Sequence, residues 1–213
     1  MLQILSVNVG RKRRLDGKGF SGDTGILKMP SQTPVAVGEL GLEGDAIVHT
    51  RDHGGPDQAV YMYRSEDYDW WSDTLGEAVP HGAFGDNLTV AEMPSADAAV
   101  GTRLRFETVE LEVTAPRIPC NILAARMGDP KFLKRFIEAE RPGFYCRVIR
   151  PGTLRAGASG SLSEPGTDAV TILDMFRASY HRLGREELER LLAAPIDERS
   201  RARFEAELRK LLR

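Results

Sequence analysis

The run Val109-Glu110-Leu111-Glu112-Val113-Thr114-Ala115-Pro116-Arg117-Ile118-Pro119-Cys120-Asn121 decides how this chain is read. Its first half alternates, with Val109, Leu111 and Val113 on one side of a half-buried strand and polar residues on the other. Residues 122–127 then read as a short helix, and Pro119 suits its first position, where a missing N–H costs nothing. On that reading Cys120 sits in the first helical turn, near unpaired backbone N–H groups and the positive end of the helix dipole. Arg117 lies three residues back. Both features favour thiolate over thiol, and thiolate is the form that attacks electrophiles or binds a soft metal. A small buried apolar cysteine fits the same local pattern, so the surrounding residues have to decide.

Working outward, residues 100–106 form a hairpin with 109–114, and residues 2–9 alternate as a first strand. Arg11-Lys12-Arg13-Arg14 is a basic cluster in a Gly-rich loop running to Gly25, without the interleaved aromatics of a nucleic-acid tract. Residues 24–29 and 34–37 are further strand candidates, followed by a Gly-rich turn at Gly41-Leu42-Glu43-Gly44-Asp45. His49 and His53 are four apart, but Gly54-Gly55-Pro56 breaks any helix there and no HExxH glutamate is present, which excludes zinc-protease chemistry. His53-Gly54-Gly55-Pro56-Asp57 is either a shaped loop offering N–H groups and an imidazole to an anion, or an ordinary turn. Residues 59–63 return to strand. Ser65 then caps a helix with Tyr68, Trp71 and Leu75 on its core face. Asn87, in the loop Gly85-Asp86-Asn87-Leu88, either orients a polar ligand or closes a turn.

Past Cys120, Asp129-Pro130 opens a helix with Phe132, Leu133, Phe136 and Ile137 on one face. Residues 143–150 are a strand in which Cys146 has apolar same-face neighbours, whereas Arg147 alternates with apolar residues as a ligand-facing side chain would. Short strands at this density with Gly/Pro turns predict a mainly β protein, an irregular barrel or strongly bent sheet. After Pro165-Gly166 the pattern changes to three helix-length segments, 171–180, 185–194 and 198–212. Phe204, Leu208, Leu211 and Leu212 form one stripe there. The division is therefore a β-domain over 1–165 and a small helical extension over 166–213. So small a tail docks on the main domain or on a second subunit, which leaves a homodimer open. It receives no catalytic residue.

Composition sets the outer bounds. The 213 residues are 41% hydrophobic and 28% charged, with a formal net charge of −2, so no global field calls for nucleic acid or a membrane surface. Two cysteines outside any CxxC pair make no disulfide framework, and a reducing cytoplasm is the simplest setting. The alternating N-terminus lacks the features of a signal peptide, and no stretch is long enough to span a bilayer.

Five motifs together carry a resemblance: Thr24-Gly25-Ile26-Leu27-Lys28, Gly41 to Asp45, His53 to Asp57, Gly85 to Leu88, and Pro116 to Cys120. Their order and spacing resemble those of MOSC domains, most closely the YiiM-like branch, whose C-terminal three-helix extension matches the tail. The resemblance implies a MOSC-type irregular β-barrel with peripheral helices that binds molybdenum cofactor, a molybdenum dithiolene of a phosphorylated pterin. It implies reductive dehydroxylation of N-hydroxylated compounds such as hydroxylaminopurines. Carried over by motif, Cys120 is the thiolate ligand to molybdenum, and Lys28, His53, Asn87, Arg117 and Arg147 are the residues that hold pterin and phosphate. One position departs from the family: its Gly-Glu-Asn-Leu motif has Asp86 here. No iron–sulfur, flavin or pyridine-nucleotide signature is present, so such an enzyme needs an external electron-donor protein. A persulfide carrier using Cys120 and a cofactor-delivery protein without turnover are the alternatives.

Overall fold

The computed structural model describes residues 1–93 and 98–213. Seven strands close into a barrel: β1 (Leu2–Val9), β7 (Val60–Arg64), β8 (Leu88–Ala91), β9 (Arg103–Arg105), β10 (Glu110–Pro116), β11 (Phe144–Arg150) and β13 (Ser159–Ser163). Their order is β13-β9-β10-β11-β7-β8-β1, and β1 returns to β13 through Leu2 opposite Gly160. All these neighbours are antiparallel except β7 and β8, which pair in parallel with Met62 opposite Leu88. Closure removes the open sheet edges that invite aggregation. Register shifts between Ile4 and Ser6 in β1, and between Val113 and Ala115 in β10, bend these strands into the wall.

Smaller pieces decorate the barrel. The two-residue strand β4 (Met29–Pro30) pairs antiparallel with the end of β1, and β5 (Val35–Gly38), β6 (Gly41–Leu42) and β12 (Gly152–Leu154) form a separate sheet. The segment expected to be a basic loop is instead a hairpin, β2 (Arg13–Gly17) against β3 (Phe20–Thr24). Its charges hid the strand signal, because exposed hairpins need no apolar face. Conversely, the strand expected over 24–29 is largely irregular, paired only at its ends, Thr24 in β3 and Met29 in β4.

Two clusters of buried side chains stabilise the fold. The first fills the barrel with Ile4, Val60, Met62, Leu88, Leu104, Leu111, Val113 and Cys146, each 0% exposed. It continues without a break into the C-terminal helices α4 (Ile172–Ala178), α5 (Arg185–Ala193) and α6 (Glu198–Leu211), through Ile172, Met175, Leu188, Leu191 and Phe204. Each such side chain contributes about 1.5–3 kcal/mol. The tail therefore docks on the barrel. Leu211 and Leu212, expected on its apolar stripe, are exposed at the end of α6.

The second cluster is aromatic and lies against the outside of the wall. Tyr63, Trp71, Phe84, Phe132 and Phe136 pack beneath α1 (Ser65–Leu75) and α3 (Phe132–Ala139). The Trp71 indole donates to the Tyr63 hydroxyl at 2.8 Å, which donates to the Arg141 carbonyl at 2.7 Å, so the buried polar tips are satisfied. Ser65 is inside α1, not its cap; Arg64 takes that place without a side-chain bond. Asp129-Pro130 forms a turn before α3, whose cap is Lys131.

Candidate functional site

Strand β10 delivers Pro116 to the barrel rim, and the chain then crosses to α2 (Asn121–Arg126). Cys120 is the N-cap of α2, with extended backbone, one step earlier than the sequence reading places it. Pro119 accordingly lies outside the helix. The sulfur still faces the first turn and lines a cleft of about 100 Å³ between this rim, the segment 24–28, the segment 45–49 and the loop bearing His53.

Cys120 is partly exposed, and three groups act on it. His53 Nε2 lies 3.9 Å from Sγ, a long sulfur hydrogen bond. The guanidinium of Arg117 and the amide N–H of Leu123 add to it. Burial of the thiol opposes ionisation, but His53, Arg117 and Leu123 together outweigh it and lower the pKa from 9.0 to about 6. Cys146, by contrast, is fully buried in the barrel 3.6 Å from the Met62 sulfur, and burial pushes its thiol far up. The two cysteines thus have opposite chemistry, as their sequence contexts implied.

Arg117 is 5% exposed and lies over the Tyr61 and Phe136 rings at 5.6 and 5.8 Å. Tyr145 lies beside it, and the Arg117 Nη1 is buried without a partner among the described residues. A buried, permanently charged group with an unused donor calls for an anion or acceptor. Tyr61 and Tyr145 line the cleft beside it, a pair sequence alternation alone did not single out.

The other expected residues divide. Asn87 reaches the cleft, but its amide is a bracket: Oδ1 accepts from the Tyr61 N–H at 3.1 Å and Nδ2 donates to Asp45 at 2.9 Å. Lys28 also lines the cleft, closely paired with Asp45, whose other oxygen accepts from the Gly10 N–H at 2.7 Å. Its charge is therefore neutralised, with both partners under 10% exposed. Arg147 does not reach the cleft. It ion-pairs with Asp57 at 2.9 Å and Glu112 at 3.2 Å and donates to the Pro195 and Ile196 carbonyls, so it fastens the tail to the barrel. Asp86 is fully buried behind the cleft, accepting from Tyr68 at 2.5 Å and Thr89 at 2.8 Å.

Two glycines shape the approach. A Cβ on Gly25 would lie 1.7 Å from the Ala46 carbonyl oxygen, so only glycine lets these two walls meet. Gly54 has φ 73° and its Cβ would press on Ile47 at 2.8 Å. The tail supplies one holding group the sequence reading missed. Arg199 donates from Nη1 to the Gly54 carbonyl at 2.7 Å and Gln58 at 3.0 Å, and from Nη2 to the Thr50 carbonyl at 3.2 Å. Its signal in sequence was only a helical charge.

The cleft thus offers one soft thiolate, one unused buried guanidinium and flanking tyrosines. That donor set fits a soft metal whose organic ligand carries an anionic group. No group of three or more His, Cys, Asp and Glu suited to hold a metal by themselves occurs among the described residues. No helix among them is long and apolar enough to cross a membrane.

The MOSC domain profile matches residues 49–159. The chain is 32% identical to the Uncharacterized protein YflK of Bacillus subtilis, over 98% of this chain and 96% of that protein. It is 31% identical to a protein named Reductase from Gibberella moniliformis, covering 82% of this chain but 31% of that much longer one. Among solved structures, YiiM from Geobacillus stearothermophilus superposes with a TM-score of 0.81 at 29% identity, over 98% of this chain and 100% of that one.

Proposed function

The chain belongs to the MOSC domain family, and from that premise we propose that it binds molybdenum cofactor through Cys120 and reduces N-hydroxylated compounds. MOSC domains are associated with molybdenum-cofactor binding in general, and the kinship with a fungal protein named Reductase supports a redox role. The observation that carries the proposal is the pairing of a thiol lowered to about 6 with a buried guanidinium that has an unused donor in the same cleft. When bound, the cofactor supplies the two electrons that, with two protons, convert N–OH to N–H and water.

This chain's own residues supply ligation, charge and shape. His53, Arg117 and the Leu123 amide keep Cys120 ionised at neutral pH, the state in which sulfur binds a metal. Arg117 keeps its charge although burial opposes it, because a guanidinium does not give up its proton in this range and the Cys120 thiolate beside it favours the cation. It is the cation that faces an anionic cofactor group. Lys28 acts indirectly: paired with Asp45, it fixes the amide of Asn87 and the segment leading to Gly10. Electrons come from an external donor protein.

Protein purified from a cofactor-making host and supplied with a chemical reductant is expected to convert N-hydroxylated amidines or bases to the amines, and Cys120→Ala to lose that turnover. Equal turnover by the variant would overturn the proposal. A persulfide carrier would use the same thiolate, but it leaves the unused Arg117 donor unexplained.

A further inference from the structure

The β2–β3 hairpin carries charge that neither the cleft nor the barrel uses. Residues 11–24 hold five basic side chains, Arg11, Lys12, Arg13, Arg14 and Lys18, and two acidic ones, Asp16 and Asp23, in a chain whose formal net charge is −2. This one segment is therefore basic on a molecule that is otherwise net acidic. Both of its carboxylates are already engaged, Asp16 by Arg14 at 3.1 Å and Asp23 by Lys12 at 3.0 Å. Arg11, Arg13 and Lys18 are exposed and have no ion pair among the described residues. What the hairpin leaves open is thus positive only.

The hairpin is also fixed beside the Cys120 cleft. Gly17 sits so close to α2 that a Cβ there would lie 2.9 Å from the Cβ of Ala125. Ala125 is five residues along α2 from its Cys120 cap, about 7.5 Å at the helical rise. At the other end the Asp23 carbonyl meets His49 Nε2 at 3.1 Å, and Phe20 packs edge-on against the His49 ring. Thr24 and His49 both line the cleft. The adjoining loop adds Arg51 and Asp52, both exposed, whose charges cancel. We infer that this hairpin is the docking surface for the electron donor, and that the donor is a carrier protein with a carboxylate-rich face around its redox group. The inference rests on the reductase reading, which needs electrons from outside the chain.

Three arguments select that partner. Unpaired charge of one sign steers a partner of the other sign and fixes its orientation, while adding little to the strength of the final contact. A donor that must arrive, deliver and leave needs that balance. Size agrees: two five-residue strands offer a small face, suited to the transient electron-transfer contacts that bury less than about 1,200 Å². Composition excludes the other polyanions. A single-stranded nucleic acid needs rings free to stack along a basic groove, and Phe20, the one aromatic of the hairpin, is spent on His49. A membrane surface needs apolar side chains to insert, and no large exposed hydrophobic residue lies within 11–24.

The full chain, purified from a cofactor-making host, is titrated with an acidic two-iron ferredoxin at about 0.1 M salt, where charges more than about 10 Å apart are screened. A single-stranded RNA and phosphatidylserine vesicles serve as the competing polyanions. Saturable binding of ferredoxin is expected, weakening about tenfold as salt rises to about 0.3 M. The triple variant Arg11→Glu/Arg13→Glu/Lys18→Glu should weaken it by about tenfold or more. The control Arg182→Glu/Lys210→Glu/Arg213→Glu makes the same change of charge at exposed positions of the C-terminal extension, and should stay within about threefold of wild type. Circular dichroism checks that both variants are folded. Ferredoxin-driven turnover should fall in the hairpin variant through a raised KM for ferredoxin, while turnover with a small chemical reductant stays at the wild-type level. The proposal is overturned if ferredoxin does not bind, if the folded hairpin variant binds it as wild type does, or if the control loses as much. It is equally overturned if RNA or vesicles bind more tightly than ferredoxin through the same three residues. Absence of turnover with the chemical reductant would instead sink the reductase reading, and hairpin-dependent ferredoxin binding would then leave the docking surface standing.

Discussion

His53 Nε2 faces the Sγ of Cys120 at 3.9 Å, across 67 positions of sequence. That contact joins the glycine-rich loop to the N-cap of α2 and makes the loop part of the cysteine's chemistry. Alkylation by iodoacetamide follows the thiolate fraction, so its rate against pH should have a midpoint near the lowered pKa of about 6. His53→Ala and Arg117→Gln should both move the midpoint upward. A wild-type midpoint at about 8.5, the ordinary thiol value, would contradict the site as described.

The same depression has a stability consequence. The folded thiol titrates below its unfolded value of 9.0, so its ionisation stabilises the fold fully above about pH 9, and that contribution is lost as pH falls through about 6. The difference in urea unfolding free energy between wild type and Cys120→Ala should therefore rise from pH 6 to pH 9. A flat difference would show the thiol unperturbed.

Lys28 and Asp45 form a buried pair. Removing the cation in Lys28→Met leaves the Asp45 charge uncompensated and should cost about 3–5 kcal/mol in urea unfolding. The double variant Lys28→Met/Asp45→Asn should recover part of that loss. A cost under about 1 kcal/mol for the single change, the range of exposed pairs, would mean that the pair is solvated.

Asp86 stands where the family pattern has glutamate, inside a filled network of Tyr68, Thr89 and Asn8. Asp86→Glu adds a methylene there and should destabilise by about 1–3 kcal/mol through overpacking. Because Asp86 lies behind the cleft, the pH midpoint of Cys120 alkylation should stay where it is. A displaced midpoint would place Asp86 in contact with the site.

Arg199 ties Thr50, Gly54 and Gln58 to α6. Arg199→Ala should speed amide hydrogen exchange over residues 50–58 and cost about 1–2 kcal/mol of stability. Unchanged exchange there would show that the loop holds its shape unaided.

What could be read in advance follows from the range of each interaction. Cys120, Arg117 and His53 sit in short motifs whose residue types announce their chemistry, and the structure brings all three together. Lys28 and Asn87 were legible as positions but not as roles, because Asp45, which engages both, belongs to another motif and meets them only through folding. Arg147 was misleading for the same reason: alternation put it on the polar face of β11, but not against Asp57, Glu112 and the tail carbonyls. The barrel strands showed by alternation, whereas the β2–β3 hairpin, charged on both faces, gave no such sign. Arg199 was invisible as anything but a solvated helix charge, since a docking contact leaves no periodic trace.

Molybdenum content tests the central claim most directly. Wild-type protein and Cys120→Ala, purified in parallel from a host that makes the cofactor, would be compared by elemental analysis. The account predicts molybdenum bound in stoichiometric amount by the wild type and lost from the variant. Full molybdenum in the Cys120→Ala protein, or none in the wild type, would contradict it.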